Sequence, residues 1–315
     1  MKYSLLFLPI VVVVALATGC SNSQQTGASI DDAFRGGIAA DAQTIVSVRL
    51  DKLKASELYR RHEQLLQLPQ IDAMAEKAGL DPRRDISSLY LVWNGKHVLL
   101  LAEGAFSAAQ LEQKLVAGGA QRVPYKNYTL LTRGNDSVVF PGHGVAVAAA
   151  TELVQSELDL LASKAGEIPE ELKERMAEVP SDAQIWAVSR GGLPAANFPL
   201  RADLDSALSN ITAYVTATSF GVHLDSGSHV QARIICKSPV GAQRVHDAMR
   251  GLIGLARLST KDNELDLLRM WDAVSISKDQ NVVRVQTDLP ADLSDKLIAQ
   301  VLALRGHGGA FLNAQ

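Results

Sequence analysis

Seven histidines, two cysteines and the carboxylates are the side chains of this chain that could hold a metal, move a proton or attack a carbonyl. His62-Glu63 opens like the helical zinc-protease motif, in which two histidines one turn apart clamp the ion. The position four after His62 is Leu66, however, and His62 shares a stripe with Leu58 and Leu65, so a packed or interfacial ring is expected. In Pro141-Gly142-His143-Gly144 the flanking glycines predict a hairpin tip. A dinucleotide loop would need a third glycine opening a helix, and position 147 is Val. His307-Gly308-Gly309 matches a fragment of an esterase oxyanion loop, but the Gly-x-Ser-x-Gly elbow that such a loop serves is missing. His97 and His229 each begin a His-Val step after a turn. A paired metal site is one reading of them, and separate exposed strand ends are the other. Cys236 ends the alternating run Val230–Cys236, which predicts a buried thiol. Asp31-Asp32 are expected in solvent, and Glu170-Glu171 at the positive end of a helix. No Cys-x-x-Cys, Asp-rich calcium loop or Walker-type phosphate loop occurs, and no cofactor is expected.

Cys20 is different, because of what precedes it. Lys2 supplies a short positive region, and Leu5–Leu16 is apolar throughout apart from Pro9. A helix needs roughly 20 residues to cross a bilayer, so this run suits a secretory leader instead. Ala17-Thr18-Gly19-Cys20 follows, with small residues that let the backbone enter a peptidase site. The segment resembles the lipobox of bacterial lipoproteins, although Ala17 stands where Leu is usual. The resemblance implies that residues 1–19 are removed, that Cys20 carries a diacylglycerol thioether and that its amino group is acylated, with palmitate a usual chain. Ser21, rather than Asp, implies sorting to the outer membrane, facing the periplasm, in a host with two membranes.

Charge and composition exclude some partners. The formal net charge is −3, and losing Lys2 with the leader makes it more negative, so the chain has no basic footprint for nucleic acid. Aromatic residues make up 5%, which argues against a carbohydrate-stacking surface. With Cys20 consumed by lipid, Cys236 has no partner for a disulfide.

The elements that must position these groups follow from periodicity. Residues 20–40 are Ser/Gln/Gly/Ala-rich and read as a flexible tether with a span of about 25 Å. Thr44–Leu50 alternates as a strand, and Ser56 caps a helix bearing Leu58 and Tyr59. Pro69 opens a second helix that Gly79 stops. Asn94-Gly95 between two apolar runs predicts a hairpin whose turn residues both take positive φ. Ser107 with Gln110 forms a capping box. Strands near 128–132, 136–140 and 144–149 and a helix over 151–163 follow. Pro169 and Pro180 bracket a short helix expected to link two domains.

The order then recurs. Asp182-Ala183-Gln184 precedes a strand as Asp41-Ala42-Gln43 does, a helix falls near 201–209, and a hairpin turns at Asp225-Ser226-Gly227. Ser238 caps a long helix, a hairpin covers 274–288, and a helix covers 291–304. The expected fold class is α+β: two tandem repeats, 41–165 and 182–305, each a mostly antiparallel sheet covered by helices in a ferredoxin-like manner, joined by 166–181 and followed by a tail, 306–315. Leu80-Asp81-Pro82-Arg83-Arg84-Asp85-Ile86 and the pattern around it resemble an uncharacterised group of secreted two-repeat bacterial proteins, to which no activity attaches.

Two functions fit. The first is a non-catalytic envelope lipoprotein that binds a protein or ligand through a sheet edge or the seam between repeats. The second is a secreted hydrolase with a scattered active site. The absence of every local catalytic signature favours the first. Replacing Cys20 with Ala is expected to release the chain from membranes. Continued pelleting with membranes and labelling by a palmitate analogue would show that Cys20 is not the anchor.

Overall fold

The computed structural model describes residues 27–63, 80–191 and 211–308. The leader, Cys20, the helix expected from Pro69, the helix near 201–209, the side chain of His307 and the last residues of the tail lie outside the described residues. The strands are β1 (Thr44–Arg49), β2 (Ile86–Trp93), β3 (Val98–Gly104), β4 (Gln121–Tyr125), β5 (Tyr128–Arg133), β6 (Asp136–Gly142), β7 (Val145–Ala150), β8 (Ile185–Arg190), β9 (Val215–Leu224), β10 (Ser228–Cys236), β11 (Val274–Asp279) and β12 (Val282–Leu289). The helices are α1 (Leu50–Ala55), α2 (Glu57–His62), α3 (Pro82–Asp85), α4 (Ala108–Ala117), α5 (Thr151–Ser163), α6 (Glu170–Ala177), α7 (Pro239–Ser259), α8 (Leu265–Asp272) and α9 (Ala291–Gly308).

The fold is α+β, and its strands form one twelve-stranded antiparallel sheet rather than a sheet in each half. The order is β11-β12-β10-β9-β8-β1-β2-β3-β7-β6-β5-β4. Reading outward from the β1–β8 pair, both sides run hairpin-wise through two more strands and then meet a later hairpin by its second strand. The Asp-Ala-Gln triplets occupy equivalent places. Arg49 N–H donates to Gln184 C=O at 2.7 Å, and Arg190 N–H donates to Gln43 C=O at 2.8 Å.

Local chemistry explains most element boundaries. The hydroxyls of Ser56, Ser107 and Ser238 accept from the backbone N–H groups of Tyr59, Gln110 and Gly241, as N-caps do. Asp81 caps α3 and pairs with Arg83, which holds the Asp81 carboxyl below the usual carboxylate range. The Asn94-Gly95 turn differs from expectation. Only Gly95 takes positive φ, at 97°, and Trp93 pairs with Val98, so the loop has four residues. Asn94 Oδ1 accepts from the N–H groups of Lys96 and His97, closing that longer loop itself.

Strand alternation gives the sheet two faces. On one, Ile45, Tyr90, Val92, Leu101, Val147, Trp186 and Val188 form the main core. Helix α5 covers it with Val154 and Leu158. On the other, α7 packs Ala242 and Val245 over Ile234, Cys236 and Val283.

Two sequence expectations are corrected here. Residues 28–38 are not tether: Ile30, Phe34 and Ile38 are fully or nearly buried in the main core. Their spacing of four puts three apolar side chains on one side of a turn-rich segment, and burying them outweighs the flexibility of the Ser/Gly-rich surroundings. Asp31 goes with them. It accepts from the Ser88 hydroxyl and lies 3.7 Å from the Arg49 guanidinium, while Asp32 stays exposed. The segment 166–181 is not a detached linker either. Leu172 and Met176 of α6 belong to the main core, beside Trp186 and Val188 of β8.

Phe34, Tyr90 and Trp186 meet edge to face, with ring centres 5.7 Å and 6.3 Å apart. Phe34→Ala is expected to cost about 3–5 kcal/mol of stability, as aromatic deletions from a packed core do. Chemical denaturation measures it, and a loss under 1 kcal/mol, within reach of an ordinary surface substitution, would show that the segment is not part of the core.

Candidate functional site

Three places in the described chain concentrate chemistry or exposed apolar surface. The first is a recess of about 220 Å³ near the β9–β10 turn, bordered by Pro180, Asp182, His223, His229, Gln286 and Asp288. Alternation turns Gly221 and His223 of β9 to the same side as His229 and Gln231 of β10. His223 stands directly opposite His229, with ring centres 5.9 Å apart. Beside them the backbone at Gly221 comes close to the side chains of Val179 and Pro180, where a Cβ would lie a tight 3.2 Å from each.

Carboxylates surround the two rings. Asp288 Oδ1 is 2.7 Å from His229 Nδ1, and the Asp182 carbonyl oxygen is 3.3 Å from His223 Nδ1. Asp225 Oδ2 is 3.8 Å from His229 Nε2. The Gly227 N–H, donating to Asp225 Oδ1 at 2.8 Å, holds the Asp225 carboxyl below the usual range, and both histidines act in the same direction. Among the described residues no three His, Cys, Asp or Glu side chains are already gathered closely enough to hold a metal ion.

The second place is the opposite face of the sheet. Pair registers place Val138, Ala148, Leu100, Leu91, Val46, Ala187, Phe220, Ala232, Val285 and Ile276 in one continuous row across neighbouring strands. Every member is apolar and none is fully buried. Helix α7 covers the β10–β12 end, whereas Leu91 and Phe220 near the middle are 37% and 36% exposed.

The third is Glu157, on the buried stripe of α5 with Val154 and Leu158. It is 2% exposed, its Oε1 has no hydrogen-bond partner, and burial pushes its carboxyl up to about 8. Gly37 makes room for it: a Cβ at that position would overlap Oε1.

The histidines singled out in the sequence are dispersed. His62 is mostly buried, and its Nε2 lies 2.7 Å from Asp295 Oδ1, joining α2 to α9. His97 belongs to the β2–β3 loop and His143 to the β6–β7 tip, where Gly144 takes φ 68°. His97 and His229 are on different hairpins and do not form a pair; His229 meets His223 instead. Cys236 is buried at the end of β10, and burial raises its thiol. Glu170 and Glu171 occupy the first turn of α6, as expected. His223 and Glu157 escaped sequence reasoning. Only the strand register pairs His223, whereas the apolar stripe around Glu157 is legible as Val154, Leu158 and Leu161.

No family model matches the chain, and no curated protein matches it. Among solved structures, crystal form III of TP0453 is similar over 86% of this chain and 99% of that one, at 11% identity and a TM-score of 0.51. Crystal form I of TP0453 gives 10% identity over 87% and 98%, with a TM-score of 0.47. Among the described residues, no helix is long and apolar enough to cross a membrane. The likeness to TP0453 crystal form III is one of fold alone.

Glu157 makes stability depend on pH in a stated direction. Between about 4.5 and about 8 the unfolded chain loses its proton from this group while the folded chain keeps it, so stability falls as pH rises. Glu157→Gln is expected to remove up to about 1.4 kcal/mol of that loss per pH unit. Denaturation of both proteins at pH 5 and pH 8 measures it, and parallel pH dependences would contradict a neutral Glu157.

Proposed function

We propose that this chain is a non-catalytic binding module of the bacterial envelope, held to the membrane by lipid on Cys20, and that it binds the apolar surface of a protein partner on the open sheet face. The observation that carries the reading is the apolar row centred on Leu91, Val46, Ala187 and Phe220. A sheet face left apolar and partly open is an interaction surface when it joins into one patch, whereas scattered exposed side chains are ordinary.

The alternatives for binding by strand addition are weaker. Edge strand β4 contains Pro124, which has no N–H to offer a partner strand. Edge strand β11 ends in Ser277-Lys278-Asp279, a polar and charged run that disfavours edge-to-edge pairing. The seam between the halves is a continuous antiparallel pair, β1–β8, and not a cleft. A hydrolase remains the second reading. Glu157, the carboxyl among the described residues raised to about 8, lies inside the core and not at a surface a substrate could reach.

The test uses the protein extracted from its host envelope in mild detergent. Wild-type chain is expected to migrate in a complex, and the Leu91→Asp/Phe220→Asp variant to migrate alone with an unchanged folded spectrum. A variant that keeps the complex overturns the face as the binding surface. A screen of ester, peptide, glycan and phosphate hydrolysis distinguishes the hydrolase reading: one robust activity, lost on substitution of a single His or carboxylate, would establish it.

A further inference from the structure

We infer that His223, His229 and Asp225 form a site for a divalent transition-metal ion, with zinc the best match, on the polar side of the β9–β10 hairpin. It is independent of the binding face proposed above. Three features support it. The first is tautomer control. The close neighbours of His223 Nδ1 are the carbonyl and carboxylate oxygens of Asp182, each at 3.3 Å, and that of His229 Nδ1 is Asp288 Oδ1 at 2.7 Å. All are acceptors, so in the neutral rings both Nδ1 atoms carry the proton and both Nε2 atoms keep a lone pair. A ring held from behind by a carboxylate or carbonyl is how metal-binding histidines are oriented and made more basic.

The second is distance. Two imidazoles bound through Nε2 to one tetrahedral zinc at 2.0–2.1 Å place their ring centres about 5.2 Å apart. Here they are 5.9 Å apart, with planes inclined by 34°. Two ligands of such an ion lie about 3.3 Å from one another. Asp225 Oδ2 is 3.8 Å from His229 Nε2, and its position is fixed by the Gly227 N–H on the other oxygen. Closing the three donors on an ion takes side-chain rearrangement, at His223, which is half-buried, and at His229 and Asp225, which are exposed.

The third is charge. Asp182, Asp225 and Asp288 place three carboxylates about two imidazole rings, a setting that favours a dication. Imidazole with carboxylate is a donor set suited to zinc, and the open recess leaves room for a water as fourth ligand.

The full-length chain, purified in detergent and treated with a chelator, is titrated with Zn²⁺ against a chromophoric competitor. One equivalent is expected to bind. His223→Ala, His229→Ala and Asp225→Asn are each expected to weaken it at least ~10-fold, the scale on which even ligand-orienting groups act. His97→Ala and His143→Ala are expected to leave it unchanged, and circular dichroism checks that each variant is folded. Co²⁺ in place of zinc should give visible bands of tetrahedral coordination that disappear in the His223→Ala/His229→Ala double variant. Equal affinity of wild type and that double variant overturns the site, as does failure of the wild type to bind one equivalent.

Discussion

Tyr90 is the contact on which the architecture turns. It projects from β2 into the main core, fully buried, with Phe34 against one side and Trp186 against another. Those three rings come from three separated stretches of chain: the N-terminal segment, the first half of the sheet and the strand that begins the second half. Its hydroxyl is used as well, since the Asp31 N–H donates to it at 3.2 Å. Burial keeps that phenol protonated by raising its pKa. A buried ring of this size must be matched on every side, because interiors pack as densely as crystals. Losing the Phe34 or the Trp186 stretch therefore uncovers Tyr90, and losing Tyr90 uncovers both, so the strand that begins the second half is packed into the core of the first.

The same packing decides which surfaces remain free. One face of the central strands is occupied by α5, α6 and the N-terminal segment, so alternate residues of the same strands are left on the other face as the apolar row. Beyond β8 the arrangement inverts. Helix α7 takes the face that bears the row, and the opposite face of β9, β10 and β12 carries His223, His229, Gln231, Gln286 and Asp288. A partly open apolar strip and an open polar strip thus arise from one change in helix placement across a single sheet.

Much of this was legible in local chemistry. Ser56, Ser107 and Ser238 mark helix starts because a hydroxyl there satisfies a backbone N–H within three residues. Cys236 reads as buried from its alternating run. What failed was non-local or hidden by composition. The spacing of Ile30, Phe34 and Ile38 was present among Ser and Gly residues that suggest flexibility, and nothing local reveals that Tyr90 and Leu158 wait to receive them. The meeting of His223 with His229 depends on register, which a hairpin sets only through its turn. Glu157 was overlooked because a carboxylate on an apolar stripe is ordinarily placed at its solvent edge, whereas Gly37 lets the backbone close over it.

The early docking of the chain has a geometrical consequence for an anchor at Cys20. With residues 28–38 held in the core, the described chain enters at Gly27, close beside Ala177 on the helix-covered side of the sheet. Seven residues from Cys20 reach at most about 25 Å when fully extended. If Cys20 carries the anchor proposed above, the point of attachment would lie within that reach of the helix-covered side of the sheet. The apolar row is on the reverse of the same strands, the side turned away from that point of entry. An attachment at Cys20 and a partner on the apolar row would therefore meet the sheet from opposite sides, so that neither need displace the other.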